Sequence, residues 1–165
     1  MASFFSFPNP VNELAARTVA AGVVVLGAVT LLTQSWIPLV ILAAGFVGRV
    51  LAGPRLSPLG FVAQRVVAPR LGPARLVPGP PKRFAQGIGA TLTSAAVLAY
   101  ALDAPTVAWV LVGLLLVAAS LEAFAGFCLG CWIFGRLQRV GLIPADVCEA
   151  CNDISLRRPA ATRAV

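Results

Sequence analysis

Four long apolar runs, separated by brief polar breaks, dominate this chain and leave it few folds to choose from. Residues 14–32, 36–52, 84–102 and 106–127 each approach the length a helix needs to cross a hydrocarbon core of about 30 Å at about 1.5 Å per residue. Lipid offers the backbone no hydrogen-bond partners, so runs of this kind must satisfy their own amides as helices. Only 12% of the residues are charged against 59% hydrophobic, and the charged share is about half that of a soluble domain. The fold class read from this pattern is all-α: a polytopic membrane bundle of four helices forming a single domain over residues 1–165. The N-terminal stretch Met1 to Pro10 lacks the positive lead of a secretory signal, so the first run is expected to be retained.

The breaks carry further information. Thr33-Gln34-Ser35 and Asp103-Ala104-Pro105 read as tight turns, while Trp36 and Pro38 open the second span and Arg49 limits it. Residues 53–83 hold most of the prolines together with six basic residues, a composition that cannot cross lipid. Within them, Leu59 to Ala68 reads either as an amphipathic helix lying on headgroups or as a connector helix packed on the domain. Apolar character continues from Thr106 to Gly135, about 45 Å if helical throughout, so this run must protrude or bend, with Gly126 and Gly130 the candidate points. A cysteine-containing tail, 128–165, follows.

Orientation follows from counting cations, which accumulate on cytoplasmic flanks. With four crossings all 13 Lys and Arg fall on one side: Arg17, seven from Arg49 to Arg83, and five from Arg136 to Arg163. Both termini, the 53–83 loop and the tail are therefore expected in the cytoplasm, in a multi-pass protein of the plasma membrane. The net charge of +7 is topological information and shows no aromatic-interleaved pattern, so nucleic acid is not expected as a partner. The chain has no His, which excludes imidazole ligands and general bases.

All four cysteines lie in the last quarter, as Cys128-x-x-Cys131 and Cys148-x-x-Cys151. Spacing of i and i+3 places each pair on one helical face or across one turn. Gly141 and Pro144 let the chain fold back between the pairs, and Asp146 can cap a short helix carrying the second. Three readings compete. The pairs can be catalytic, with two thiols closing a disulfide or one accepting a persulfide that the other resolves. The four can instead be metal ligands, since Cys-x2-Cys-x16-Cys-x2-Cys suits a structural zinc site in a non-enzymatic scaffold. Or they are small packing residues. A stable disulfide framework is disfavoured in a reducing compartment.

Glu122, inside the fourth run, needs a counter-ion, a proton or a water-filled cavity, and Arg17 is one candidate partner. Glu13 and Arg17, at i and i+4, read as a surface ion pair. Lys82 and Arg83 follow the stiff Pro78-Gly79-Pro80-Pro81 and read as topology determinants or as a site for a lipid headgroup or small anion.

Several motifs together resemble a family. They are Val11-Asn12-Glu13 with Ala16-Arg17, Gly53-Pro54-Arg55-Leu56-Ser57-Pro58, Pro78 through Gln86, Gly126 through Cys131, and Cys148-Glu149-Ala150-Cys151. Over positions 11 to 154 the chain resembles the bacterial, actinobacterial-type membrane family known as domain of unknown function 4395. The resemblance implies a polytopic membrane protein in the company of thioredoxin-like and sulfurtransferase proteins, and assigns no catalytic residue. It tilts the cysteine pairs towards thiol or sulfane-sulfur handling with a soluble redox partner. The bilayer is the other expected partner, and a second copy of the chain a further one.

Overall fold

The computed structural model describes residues 7–148. Four of its helices are long and apolar enough to cross a membrane, so this is an all-α, multi-pass membrane protein. They are α1 (Glu13–Thr33), α2 (Trp36–Ala52), α5 (Gly79–Ala101) and α6 (Pro105–Ala125). Helix α1 packs on α2 and α6, and α5 packs on α2 and α6, so the four close into a ring. Val19, Val23, Leu42, Phe46, Leu115 and Ala119 fill one layer of the interior, and Leu39, Ala96, Ala108 and Val112 fill the next. Large side chains point outwards, with Leu32 85%, Leu102 70% and Phe124 74% exposed; in water this would be a liability, but it is the surface lipid tails cover.

The polar breaks act as the sequence implies. Gln34 and Asp103 take left-handed conformations at φ 48° and 56°, reversing the chain between α1 and α2 and between α5 and α6. Ser35 caps α2 and Asn12 caps α1, each accepting a backbone N–H from two residues on. Buried hydroxyls are satisfied locally: Thr30 and Thr93 each donate to the carbonyl four residues earlier, at 2.8 Å.

Residues 53–83 depart from the expected open loop. Their prolines start helices, because a missing N–H costs nothing in a first turn. Pro80 and Pro81 open α5, which therefore begins at Gly79 and not near Phe84. Pro58 opens α3 (Pro58–Val62), which runs through a π-helical turn at Ala63–Val67 into α4 (Ala68–Leu71). Within the turn the Ala68 N–H reaches back to the Ala63 carbonyl, and Pro69, which lacks the N–H to continue an ordinary ladder, follows at once. This stretch is a connector helix packed on α1: Gly60, Ala63 and Ala68 are buried, and Leu59 fits against Gly22, whose missing Cβ would stand 2.5 Å from it.

A short ladder closes the same end of the bundle. Strand β1 (Val11–Asn12) pairs antiparallel with β2 (Leu76–Val77), and Asn9 accepts the Gly79 N–H at 3.0 Å.

Close helix approach in the ring rests on Gly89, where an added Cβ would overlap the Phe46 ring. We expect Gly89→Val to lower stability by about 1–3 kcal/mol through overpacking. Gly113→Ala, at a site with no atom within 4 Å, should change nothing. Thermal unfolding of both variants in nanodiscs checks this.

Candidate functional site

The site begins where the fourth span stops. Helix α6 ends at Gly126, in the left-handed region at φ 67°. Arg17, from α1, donates to the freed carbonyls, from Nε and Nη2 to Ala123 at 3.3 and 3.2 Å and from Nη2 to Phe124 at 3.2 Å. A cation on the last carbonyls of a helix satisfies both their hydrogen bonding and the helix dipole. Extended backbone at Cys128 then restarts the chain as α7 (Leu129–Arg139), with Cys128 its N-cap and Cys131 one turn in.

This geometry separates the two thiols. Both are free, and Cys131 donates to the Cys128 sulfur at 2.7 Å. That hydrogen bond is the largest influence holding the Cys128 thiol below its ordinary range; the Lys82 charge and the Cys131 backbone amide also lower it, while burial and Glu122 oppose. Cys131 is pushed far up, first by the proton it shares with Cys128 and then by burial. Of the two sulfurs, Cys128 is the one held lower and Cys131 the one that carries the shared proton.

Lys82 and Glu122 complete the constellation. The Lys82 ammonium meets the Glu122 carboxylate at 2.6 Å, joining α5 to α6, with the side chains only 11% and 14% exposed. Pro80 and Pro81 stiffen the turn that positions Lys82, and α7 docks directly beside it. Gly130, between the two cysteines, allows that docking: a Cβ there would lie 2.5 Å from the Ala85 Cβ. Phe84 and Phe134 lock the contact edge to face at 5.7 Å.

A cavity of about 600 Å³ opens at this end of the bundle, and Cys128, Cys131, Lys82, Glu13, Gln138 and Arg139 supply its polar lining. Trp132 and Phe127 give it an apolar side. Its volume suits a small molecule or a peptide side chain, with both sulfurs in the wall.

The sequence residues divide as follows. Cys128, Cys131, Lys82, Glu122 and Glu13 are brought together. Cys148 closes a 3₁₀ turn (Ala145–Cys148) against α5 and is disulfide-bonded; Cys151 lies outside the described residues. Among the described residues no three Cys, Asp or Glu side chains form a metal-ligand cluster. Glu13 and Arg17 do not pair, because Arg17 is committed to the end of α6. Nor does Arg17 neutralise Glu122; Lys82 does. Arg83 is exposed, its Nε donating to the Val50 carbonyl at the end of α2.

The profile of a family described as Domain of unknown function (DUF4395) matches residues 11–139. The chain belongs to this family. No curated protein and no solved structure matches it. The part of the chain shared with DUF4395 contains Lys82, Glu122, Cys128 and Cys131, and stops short of Cys148.

Breaking the ion pair should reveal how much it supports. Glu122→Gln leaves a largely buried ammonium without its charge partner, at an expected cost of about 3–5 kcal/mol. The double variant Lys82→Met/Glu122→Leu replaces both charges with apolar groups and should lose far less. Chemical unfolding of the single and double variants, run as a cycle, measures the difference.

Proposed function

We propose that the protein exchanges thiol and disulfide, or sulfane-sulfur, equivalents at the cytoplasmic face of the plasma membrane. The observation that carries this reading is the Cys128–Cys131 pair at the start of α7, the Cys131 thiol donating its hydrogen bond to the Cys128 sulfur in the wall of an open cavity. The cytoplasmic orientation rests on the one-sided distribution of Lys and Arg.

In the exchange, the Cys128 thiolate attacks a sulfur of a partner disulfide. The partner S–S bond breaks, the leaving thiolate takes up a proton, and Cys128 enters a mixed disulfide. Cys131 then gives up its proton and attacks the Cys128 sulfur, which releases the second partner thiol. Two electrons and two protons pass to the partner, and Cys128–Cys131 ends as a disulfide. With a persulfide donor, the Cys128 thiolate attacks the outer sulfur, the donor S–S bond breaks and the donor thiolate leaves; attack by Cys131 on the inner sulfur of the Cys128 persulfide then releases hydrosulfide with the same closing bond. A soluble thioredoxin-like dithiol returns the pair to the reduced state and is itself oxidised to a disulfide, and a sulfurtransferase fits the role of sulfane donor.

Cys131→Ser removes the resolving thiol, so we expect this variant to accumulate a mixed disulfide through Cys128 in cells, visible as a reducible mass shift and absent from Cys128→Ser. Failure to trap any thiol on Cys131→Ser, together with about one zinc per chain that shields all four cysteines from alkylation, would overturn the reading.

A further inference from the structure

Among the described residues Arg49 is the one buried cation the thiol chemistry does not use. It lies in the last turn of α2, only 5% exposed, with its guanidinium 4.4 Å over the Phe46 ring. Its Nε donates to Gln86 Oε1 at 2.8 Å and its Nη1 to Ser57 Oγ at 2.9 Å, both neutral acceptors. No carboxylate pairs with it among the described residues, and its Nη2 is buried without any acceptor. A guanidinium does not escape this cost by losing its proton under physiological conditions. A buried cation this poorly matched calls for an anion.

The cavity beside it carries donor groups in an otherwise apolar wall that includes Phe7, Pro8, Val11 and Val19. Arg49 lines this cavity of about 60 Å³ together with Asn12, Gln64, Lys82 and Gln86. Open donors outnumber open acceptors among these side chains. Asn12 Oδ1 accepts from both Leu14 and Arg75, and Gln86 Oε1 accepts from Arg49, while the N–H groups of both amides remain open. Lys82 gives one proton to Glu122 and keeps two. Arg49 and Lys82 against Glu122 leave one positive charge uncompensated. Water, which donates as readily as it accepts, is a poor match for such a lining; a group of several acceptor oxygens is a good one. Since one water needs roughly 10–15 Å³ of such space, the cavity admits a tetrahedral oxyanion.

We propose that this cavity binds a phosphate-type oxyanion, gripped by Arg49 and the amide donors of Asn12 and Gln86, with Lys82 as second cation. The oxyanion is either free in solution or the headgroup of an anionic phospholipid, and the site stands independently of the thiol reading.

The test uses the full-length protein purified in dodecyl maltoside. Inorganic phosphate is added at constant ionic strength while thermal unfolding is followed, and phosphatidylglycerol is added separately while retained lipid is counted by native mass spectrometry. Stabilisation by phosphate identifies the free anion, and retention of the lipid identifies the headgroup. Arg49→Lys keeps a charge but loses the planar fork, and should bind the responding ligand about tenfold or more weakly. Asn12→Asp, which swaps a donor amide for a carboxylate while keeping an α1 cap, should weaken it too, whereas Arg83→Gln, outside the cavity, should not. If neither phosphate nor phosphatidylglycerol acts on the wild type, or if Arg49→Lys and Asn12→Asp bind as tightly as wild type, the proposal fails.

Discussion

The thickness of the bilayer is the constraint from which the site follows. An apolar run from Thr106 to Gly135 is too long to cross as one helix, and the chain resolves the excess by stopping α6 at Gly126 and starting again. The stop frees carbonyls that Arg17 satisfies, and the restart makes Cys128 the N-cap of a new helix with Cys131 one turn on. A continuous helix would also have placed the two sulfurs on one face. It would not have given Cys128 a helix N-terminus, nor brought Gly130 against Ala85 on α5. The thiol asymmetry is therefore a consequence of span length.

Charge at this end of the bundle is handled in three different ways, and the differences sort structure from function. Arg17 lies on carbonyl ends, where a cation contributes about 0.3–1 kcal/mol and needs no counter-ion. Lys82 and Glu122 neutralise each other across α5 and α6, a pair whose net contribution is modest but whose separation is expensive. Arg49 has neither solution within the described residues. Lys82 lines both cavities and so stands between the thiol pair and the oxyanion site.

Much of the fold was legible in the sequence because lipid enforces simple rules. Run length placed the spans, Gln34 and Asp103 marked the turns, and Gly126 was one of two candidate bends. The readings that missed depended on partners distant in the chain. Glu122 advertised a need for a cation, but nothing local could choose Lys82 over Arg17. The spacing of Glu13 and Arg17 suggested a pair, and the stronger demand of the open end of α6 claimed the arginine. Prolines between 53 and 83 read as loop, although at Pro58, Pro80 and Pro81 they open helices. Arg49 looked like a topological marker, and only packing shows it buried. A signal for it was present in outline: no acidic residue lies within thirty positions on either side of it.

The central claim is that the first turn of α7 divides the work between two neighbouring sulfurs. Alkylation of the reduced protein in nanodiscs across a pH series, with each cysteine quantified by peptide mass spectrometry, tests it most directly. Cys128 should react through a titration centred below the ordinary thiol value of about 8.5, while Cys131 stays protected well above it. Two cysteines that titrate together at the ordinary value would contradict the account.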